Sequence, residues 1–126
     1  MGKVIENDLL TEKIIGCCYE VHRKIGPGFV EKIYYNALCK ALEDAGLKYS
    51  GEKLFRVFFK LRHVGNFKAD LFIEDKVILE LKAVNGSMPK VFESQLLSYL
   101  KASGVKVGLL INFGNDRCSI RRMEIT

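Results

Sequence analysis

The sequence has few of the features that mark secreted, membrane-spanning or zinc-finger proteins. It contains no tryptophan, two prolines and no low-complexity tract, so long linkers and disordered arms are not expected. No apolar run approaches the roughly 20 residues of a membrane-spanning helix. The four cysteines have no CxxC spacing, which argues against a structural zinc site and for free thiols in a cytoplasmic protein.

The composition is that of a globular protein with a modest excess of positive charge. A length of 126 residues fits one domain, residues 1–126, with a sizeable hydrophobic core. The formal net charge is +5. This surplus permits nucleic-acid binding without requiring it, because many proteins of similar charge bind no nucleic acid.

Apolar periodicity and turn residues predict eight elements in the order α-α-β-β-β-α-β-β. The predicted helices cover residues 9–24, 29–45 and 91–102. The predicted strands cover residues 53–61, 67–73, 77–84, 107–112 and 119–125. Residues 107–112 are apolar throughout, apart from a glycine and a closing asparagine, as in a strand buried within a sheet.

The second and third strands predict a hairpin with two facing acids. Apolar residues alternate at the odd positions, namely Phe67, Ala69, Leu71 and Ile73, then Val77, Leu79, Leu81 and Ala83. If both apolar sets face inward, the numbers of paired residues must have an even sum. A three-residue turn gives a sum of 150, which places Asp70 opposite Glu80 with Lys82 on the same face.

Two facing carboxylates destabilise a sheet unless something offsets their charge. Magnesium binds oxygen ligands, often one or two carboxylates together with water and phosphate, so a metal site is one interpretation. Lys82 would then orient a water or stabilise developing negative charge. The alternative is a solvated hairpin face on which Lys68 and Lys82 offset the two acids.

The first strand predicts a basic surface. Residues 53–62 are expected to bury Phe55, Val57, Phe59 and Leu61 and to point Arg56, Lys60 and Arg62 the other way. Together with Lys68, these basic residues could follow a phosphate backbone. A solvated sheet face explains the same pattern.

Several spaced motifs resemble one known group of proteins. The element order, with an acid on one strand and Glu80-Leu-Lys82 on the next, resembles the PD-(D/E)xK nuclease superfamily. The segment from Gly28 through Glu31 to Tyr34 is similar to the signature of the GxxExxY proteins within that superfamily. The resemblance implies an α/β (α+β) restriction-endonuclease-like core, in which helices flank a mixed central sheet.

The resemblance also implies roles for individual residues. Asp70 and Glu80 would bind Mg²⁺ or Mn²⁺ together with the backbone carbonyl of Leu81, and Lys82 would be the catalytic lysine. Glu31 on the second helix would extend the metal site. Ala69 stands where the motif name has proline, a departure that many members share.

Gln95 is predicted to complete the pocket from the third helix. Phe92, Leu96 and Tyr99 predict the buried stripe of that helix, and Gln95 lies on it. A buried amide must find partners, either backbone groups in the core or the site beside Lys82. The motif match favours the site.

These patterns favour a metal-dependent nuclease that hydrolyses phosphodiester bonds, in DNA rather than RNA. The alternative is a nucleic-acid or protein binding module on a nuclease fold with little or no turnover. Nucleic acid is the expected partner and no membrane is expected. A homodimer or a larger complex is left open.

Overall fold

The computed structural model describes the backbone of residues 2–126 and the side chains of residues 9–126. Within these residues the order is α-α-β-β-β-α-β-β, as predicted. The helices are α1 (Gly2–Ile25), α2 (Glu31–Asp44) and α3 (Lys90–Ser103), and the strands are β1 (Tyr49–Phe59), β2 (Arg62–Ile73), β3 (Val77–Lys82), β4 (Val107–Asn112) and β5 (Ser119–Glu124).

The five strands form one mixed sheet in the order β1-β2-β3-β4-β5. The β3–β4 pair is parallel and the other three pairs are antiparallel. Helix α3 provides the crossover that a parallel pair requires, and it ends at Gly104, whose φ of 77° lies in the left-handed region. The chain therefore has an α+β fold with a mixed central sheet, as predicted.

Each face of the sheet carries its own hydrophobic cluster. One cluster joins Leu71, Leu79 and Ile111 to α1 and α2. The other joins Ala69, Phe72 and Ile78 to α3. A two-faced core explains why β4, which lies between β3 and β5, is buried along its whole length.

The hairpin between β2 and β3 has the predicted register. Leu71 pairs with Leu79 and Ile73 with Val77, so the paired numbers sum to 150. The prediction that Ala69 shares a face with Leu71 is wrong, because Ala69 packs on the α3 side whereas Leu71 packs towards α1 and α2. The alternation of β2 shifts between these two residues, at Asp70.

The hairpin between β1 and β2 is longer than predicted. β1 begins at Tyr49 and β2 at Arg62, and a two-residue turn joins them. Residues 62–66 lie outside both predicted strands but form the start of β2, with a register shift beside Val57 and Phe58. Residues 53–69 therefore form the outer part of an extended hairpin of β1 and β2, and this part is called the arm below.

Two asparagines bind the loop that follows β3. Asn112 accepts hydrogen bonds from the Val84 and Gly114 amides at 2.9 and 3.0 Å, and its Nδ2 donates to the Val84 carbonyl at 3.0 Å. Asn115 accepts from the Gly86 amide and donates to the Gly86 carbonyl, both at 2.8 Å. Side-chain amides thus continue the β3–β4 attachment beyond Lys82.

Candidate active site

Asp70 and Glu80 bind each other's strands through their side chains. The Asp70 amide donates to Glu80 Oε2 at 2.9 Å, and the Leu81 amide donates to Asp70 Oδ2 at 2.7 Å. The residue pairs of the β2–β3 ladder end at Leu71 and Leu79, just before these two acids. The carboxylates therefore occupy the point where β2 and β3 separate, each fixed by one backbone amide.

The neighbouring strand β1 has its own irregularity at the same level. Gly51 pairs with Leu71 and Lys53 with Ala69, so Glu52 lies beside Asp70 where the alternation of β2 shifts. Glu52 has a φ of 51°, in the left-handed region that non-glycine residues rarely adopt. Such backbone strain occurs preferentially at functional sites.

Burial makes the negative charge on the acid pair unfavourable. Burial first, and the neighbouring Asp70 second, raise the pKa of Glu80 from 4.5 to about 7. Burial also raises the pKa of Asp70, while the Leu81 amide and Lys82 oppose that rise. The pair is thus poised to gain from a bound cation, which would offset both charges.

Lys82 lies close enough to the acids to act on all of them. Its charge lowers the pKa values of Glu31, Asp70 and Glu80. The ammonium Nζ lies 4.3 Å from the centroid of the Phe92 ring on α3, within cation–π range. The Lys82 ammonium is therefore held beside the carboxylates and is bounded on one side by an aromatic ring.

Glu31 enters the cluster from the first turn of α2. Burial raises its pKa, Lys82 opposes the rise and Asp70 adds to it. The preceding loop is held by Tyr34, which is fully buried. Its hydroxyl donates to the Gly26 carbonyl at 2.6 Å and accepts from the Phe29 amide at 3.3 Å. These two hydrogen bonds of Tyr34 therefore fix the loop that leads to Glu31.

Gln95 is exposed, so the prediction of its burial is wrong. The buried stripe of α3 contains Leu96 and Leu100 instead. Gln95 lies between Phe92 and Tyr99 in helical spacing, on the helix face that borders the acids. Phe92 contacts Lys82, and Asp70 and Glu80 help to raise the pKa of Tyr99 after burial. Phe92 and Tyr99 therefore border the acids, and Gln95 itself is open to solvent.

A cleft of about 200 Å³ opens beside Asp70. It is lined by Glu31, Lys32, Tyr35, Glu52, Asp70 and Leu81. The sequence analysis missed three of these residues. Glu52 lies just before the first predicted strand, so the prediction gave it no role. A Cβ at the neighbouring Gly51 would collide with the Tyr35 hydroxyl.

Lys32 connects the other two missed residues. Its Nζ lies 3.8 Å from Glu52 Oε2 and 4.4 Å from the centroid of the Tyr35 ring. Charges at Glu52 and Asp70 contribute to a raised Tyr35 pKa of about 12, after burial and Cys39. Lys32 and Tyr35 are three residues apart on α2, a spacing that places both on one helix face. This spacing was the signal in the sequence that could have identified them as neighbours.

The basic residues of the arm do not share one face. Arg56 pairs with Asn66, and Lys68 pairs with Leu54, which places both on the face away from α3. Arg62 pairs with Phe59 and so lies on the opposite face, while Lys60 is in the turn. The expected burial of Phe59 and Leu61 is also wrong, because they are 63% and 98% exposed.

Several other features of the described residues bear on function. No three His, Cys, Asp or Glu side chains among them are placed to hold a metal ion together. None of the helices, as far as they are described, is long and apolar enough to cross a membrane. A groove of about 700 Å³ lies between α1 and the turns at Gly46 and Glu74, and neither Asp70 nor Glu80 lines it.

Comparisons with known proteins identify the family of the chain and support its fold. The family model of the PD-(D/E)XK nuclease superfamily matches residues 8–123. The crystal structure of SSO0001 is similar with a TM-score of 0.58 and 19% sequence identity, over 75% of this chain and 50% of that chain. This chain thus spans about half the length of that protein, and the similarity supports the restriction-endonuclease-like fold. No curated protein shows significant sequence similarity to the chain. On the family match, the chain belongs to the PD-(D/E)XK nuclease superfamily.

Proposed function

We propose that this protein is a metal-dependent nuclease that hydrolyses phosphodiester bonds, with DNA preferred to RNA. The observation that carries the proposal is the Asp70–Glu80 pair, two carboxylates each fixed by a backbone amide of the other strand. The whole of residues 1–126 is taken as one nuclease-like domain. The glycine, glutamate and tyrosine at positions 28, 31 and 34 support its placement in the GxxExxY group.

The residues fit a hard divalent cation such as Mg²⁺ or Mn²⁺. Magnesium commonly takes one or two protein carboxylates and fills its other positions with water and substrate phosphate. Asp70 and Glu80 each use one oxygen for a backbone amide, so Asp70 Oδ1, Glu80 Oε1 and the Leu81 carbonyl are the proposed ligands. A bound cation would supply an activated water and offset negative charge on the phosphate.

The other residues act by position and charge. The Lys82 ammonium would stabilise negative charge that develops on the phosphate, since it is held beside the acids. Glu31 would extend the metal site from α2, across the cleft from Asp70. Gln95 would hydrogen-bond substrate from the exposed face of α3. Arg56, Lys60, Arg62 and Lys68 would bind phosphates along the arm.

The test is cleavage of single-stranded, duplex and branched DNA and RNA with Mg²⁺ or Mn²⁺. Asp70→Asn and Glu80→Gln retain an oxygen for the backbone amide, and Lys82→Met retains the chain over Phe92. Each should reduce cleavage by at least about a hundredfold. The control variant Asp75→Asn removes a carboxylate from the exposed β2–β3 turn and should leave cleavage unchanged.

Two results would contradict the nuclease. One is the absence of cleavage by the parent with either metal on every substrate. The other is undiminished cleavage by the three site variants. A parent that binds metal, seen as a rise in its melting temperature, but cleaves nothing would indicate the binding module instead.

A further inference from the structure

The arm carries positive charge without any negative charge. Residues 53–69 include Lys53, Arg56, Lys60, Arg62 and Lys68 and contain no Asp or Glu. Before Leu71, the described residues of β2 pair with β1 alone, so most of the arm is a two-stranded ribbon. A second copy of this ribbon would bring like charges together, whereas a polyanion is complementary to it.

The tip of the arm exposes large apolar side chains. Phe58, Phe59 and Leu61 are 54%, 63% and 98% exposed. The turn residues Lys60 and Leu61 have φ values of 48° and 68°, where glycine or asparagine is usual. A leucine there is costly to the backbone and gains nothing from packing, so folding alone does not explain it.

A cationic side chain lies close to each of the exposed rings of Phe58 and Phe59 at the tip. The Arg56 guanidinium lies 5.1 Å from the Phe58 ring centroid, and Lys60 Nζ lies 5.4 Å from the Phe59 ring centroid. The Phe58 ring also lies 5.6 Å from the His63 ring. Rings beside cations are suited to single-stranded nucleic acid, because bases stack on the rings while phosphates meet the charges.

The arm extends from the candidate active site. Asp70 is the first residue beyond it, and Arg62 at the tip lies eight positions earlier in the chain. At about 3.3 Å per residue, the tip lies on the order of 25 Å from Asp70 along the strand. Nucleic acid held at Asp70 can therefore reach the tip about seven nucleotides away, at about 3.4 Å per nucleotide.

We propose that Phe58, Phe59 and Leu61 contact unpaired bases, so that the preferred substrate carries a single-stranded segment about seven nucleotides from the bond that is cut. This inference rests on the proposed nuclease function for the position of the cut. The basic residues of the arm bind phosphates of any strand, and the apolar tip selects the unpaired segment.

The experiment measures binding separately from cleavage. Fluorescence anisotropy with EDTA present would compare a 30-nucleotide single strand, the matching duplex and a duplex with a single-stranded overhang. The variants are Phe59→Ala and Leu61→Gly, and the control is Leu9→Ala, which removes an apolar side chain that is 61% exposed on α1. Leu61→Gly suits the left-handed turn, so it keeps the test valid if Phe59→Ala folds poorly.

Each tip variant should lose about five- to a hundredfold in affinity for the single strand and the overhang. Affinity for the full duplex should change less than twofold, and Leu9→Ala should match the parent throughout. Equal losses on all three probes, no losses, or no binding by the parent would overturn the inference. So would a parent dimer that Phe59→Ala dissociates, because the tip would then be a protein interface.

Binding and cleavage results separate the two proposals. A parent that cleaves DNA while its tip variants retain parental binding contradicts the inference alone. A parent that binds through the tip but cleaves nothing contradicts the nuclease function and leaves the tip as a nucleic-acid contact.

Discussion

The two halves of β2 are held in different ways. Leu71, Phe72 and Ile73 are buried and pair with β1 on one side and β3 on the other. Residues 62–68 pair with β1 only and are mostly exposed. The inner half is therefore determined by the core, while the outer half can carry apolar and basic residues that serve something other than folding.

The largest expected effect tests that difference directly. Leu71→Ala should reduce the free energy of unfolding by about 2–5 kcal/mol, because it opens a cavity in the core. Phe59→Ala, in the arm, should change the free energy of unfolding by less than about 1 kcal/mol. Urea denaturation of both variants measures the contrast, and comparable losses would show that the arm packs against something.

Glu80, the buried acid that contacts β2 where its two halves meet, should make the stability of the protein depend on pH. Because the pKa of Glu80 rises from 4.5 to about 7 on folding, the folded state retains a proton that the unfolded state releases between these values. The unfolding free energy of the metal-free protein should therefore fall by about 3 kcal/mol as pH rises from 4.5 to above 7. Asp70 and Glu31, whose pKa values are also raised, contribute with the same sign.

Glu80→Gln should remove most of that slope and make the metal-free protein more stable than the parent at pH 8. Denaturation at several pH values in EDTA measures it, and Asp75→Asn controls for the loss of one negative charge. Stability that rises between pH 4.5 and 7 in the parent would contradict the buried acid pair.

The arm, which contains the outer half of β2, should affect binding more than folding. If Arg56 and Lys60 each neutralise a phosphate, either alanine variant should reduce the slope of log affinity against log salt by about 0.9 on duplex DNA. The unfolding free energy should stay within about 0.5 kcal/mol of the parent. Lys13→Ala on α1 is the matched control, and an unchanged salt slope in the arm variants would remove these residues from the binding surface.

The smallest effect is at the turn of the arm. Leu61→Gly should raise the free energy of unfolding by up to about 1 kcal/mol, because glycine adopts the φ of 68° without strain. A loss of stability in urea denaturation would show that the Leu61 side chain has a packing role after all.

Sequence reasoning succeeded where burial enforces alternation. The β2–β3 register followed from the apolar residues that flank Asp70 and Glu80, since a shift by one would expose them. It failed for Phe59 and Leu61 because alternation alone cannot show which strands extend beyond the core. It also missed Glu52, whose left-handed backbone interrupts the period on which the prediction depends.

The helix-borne part of the site shows a different limit. Gln95 was placed near the site on the basis of its motif, but helical periodicity wrongly counted it as buried. Periodicity defines a stripe and does not fix where its edge lies. The sequence named Tyr34 only as part of a motif, and the structure assigns its hydroxyl to the loop before Glu31.

The asparagines behind β3 have a consequence for the timescale on which the site stays assembled. Asn112 is almost fully buried and binds Val84 through both its amide and its carbonyl, two residues after Lys82. Local opening at this point must break these bonds together with the bond from Phe113 N–H to the Lys82 carbonyl. The Val84 amide proton should therefore exchange with solvent as slowly as protons in the central strands. The lysine would then remain aligned with its neighbouring acids over many encounters with substrate.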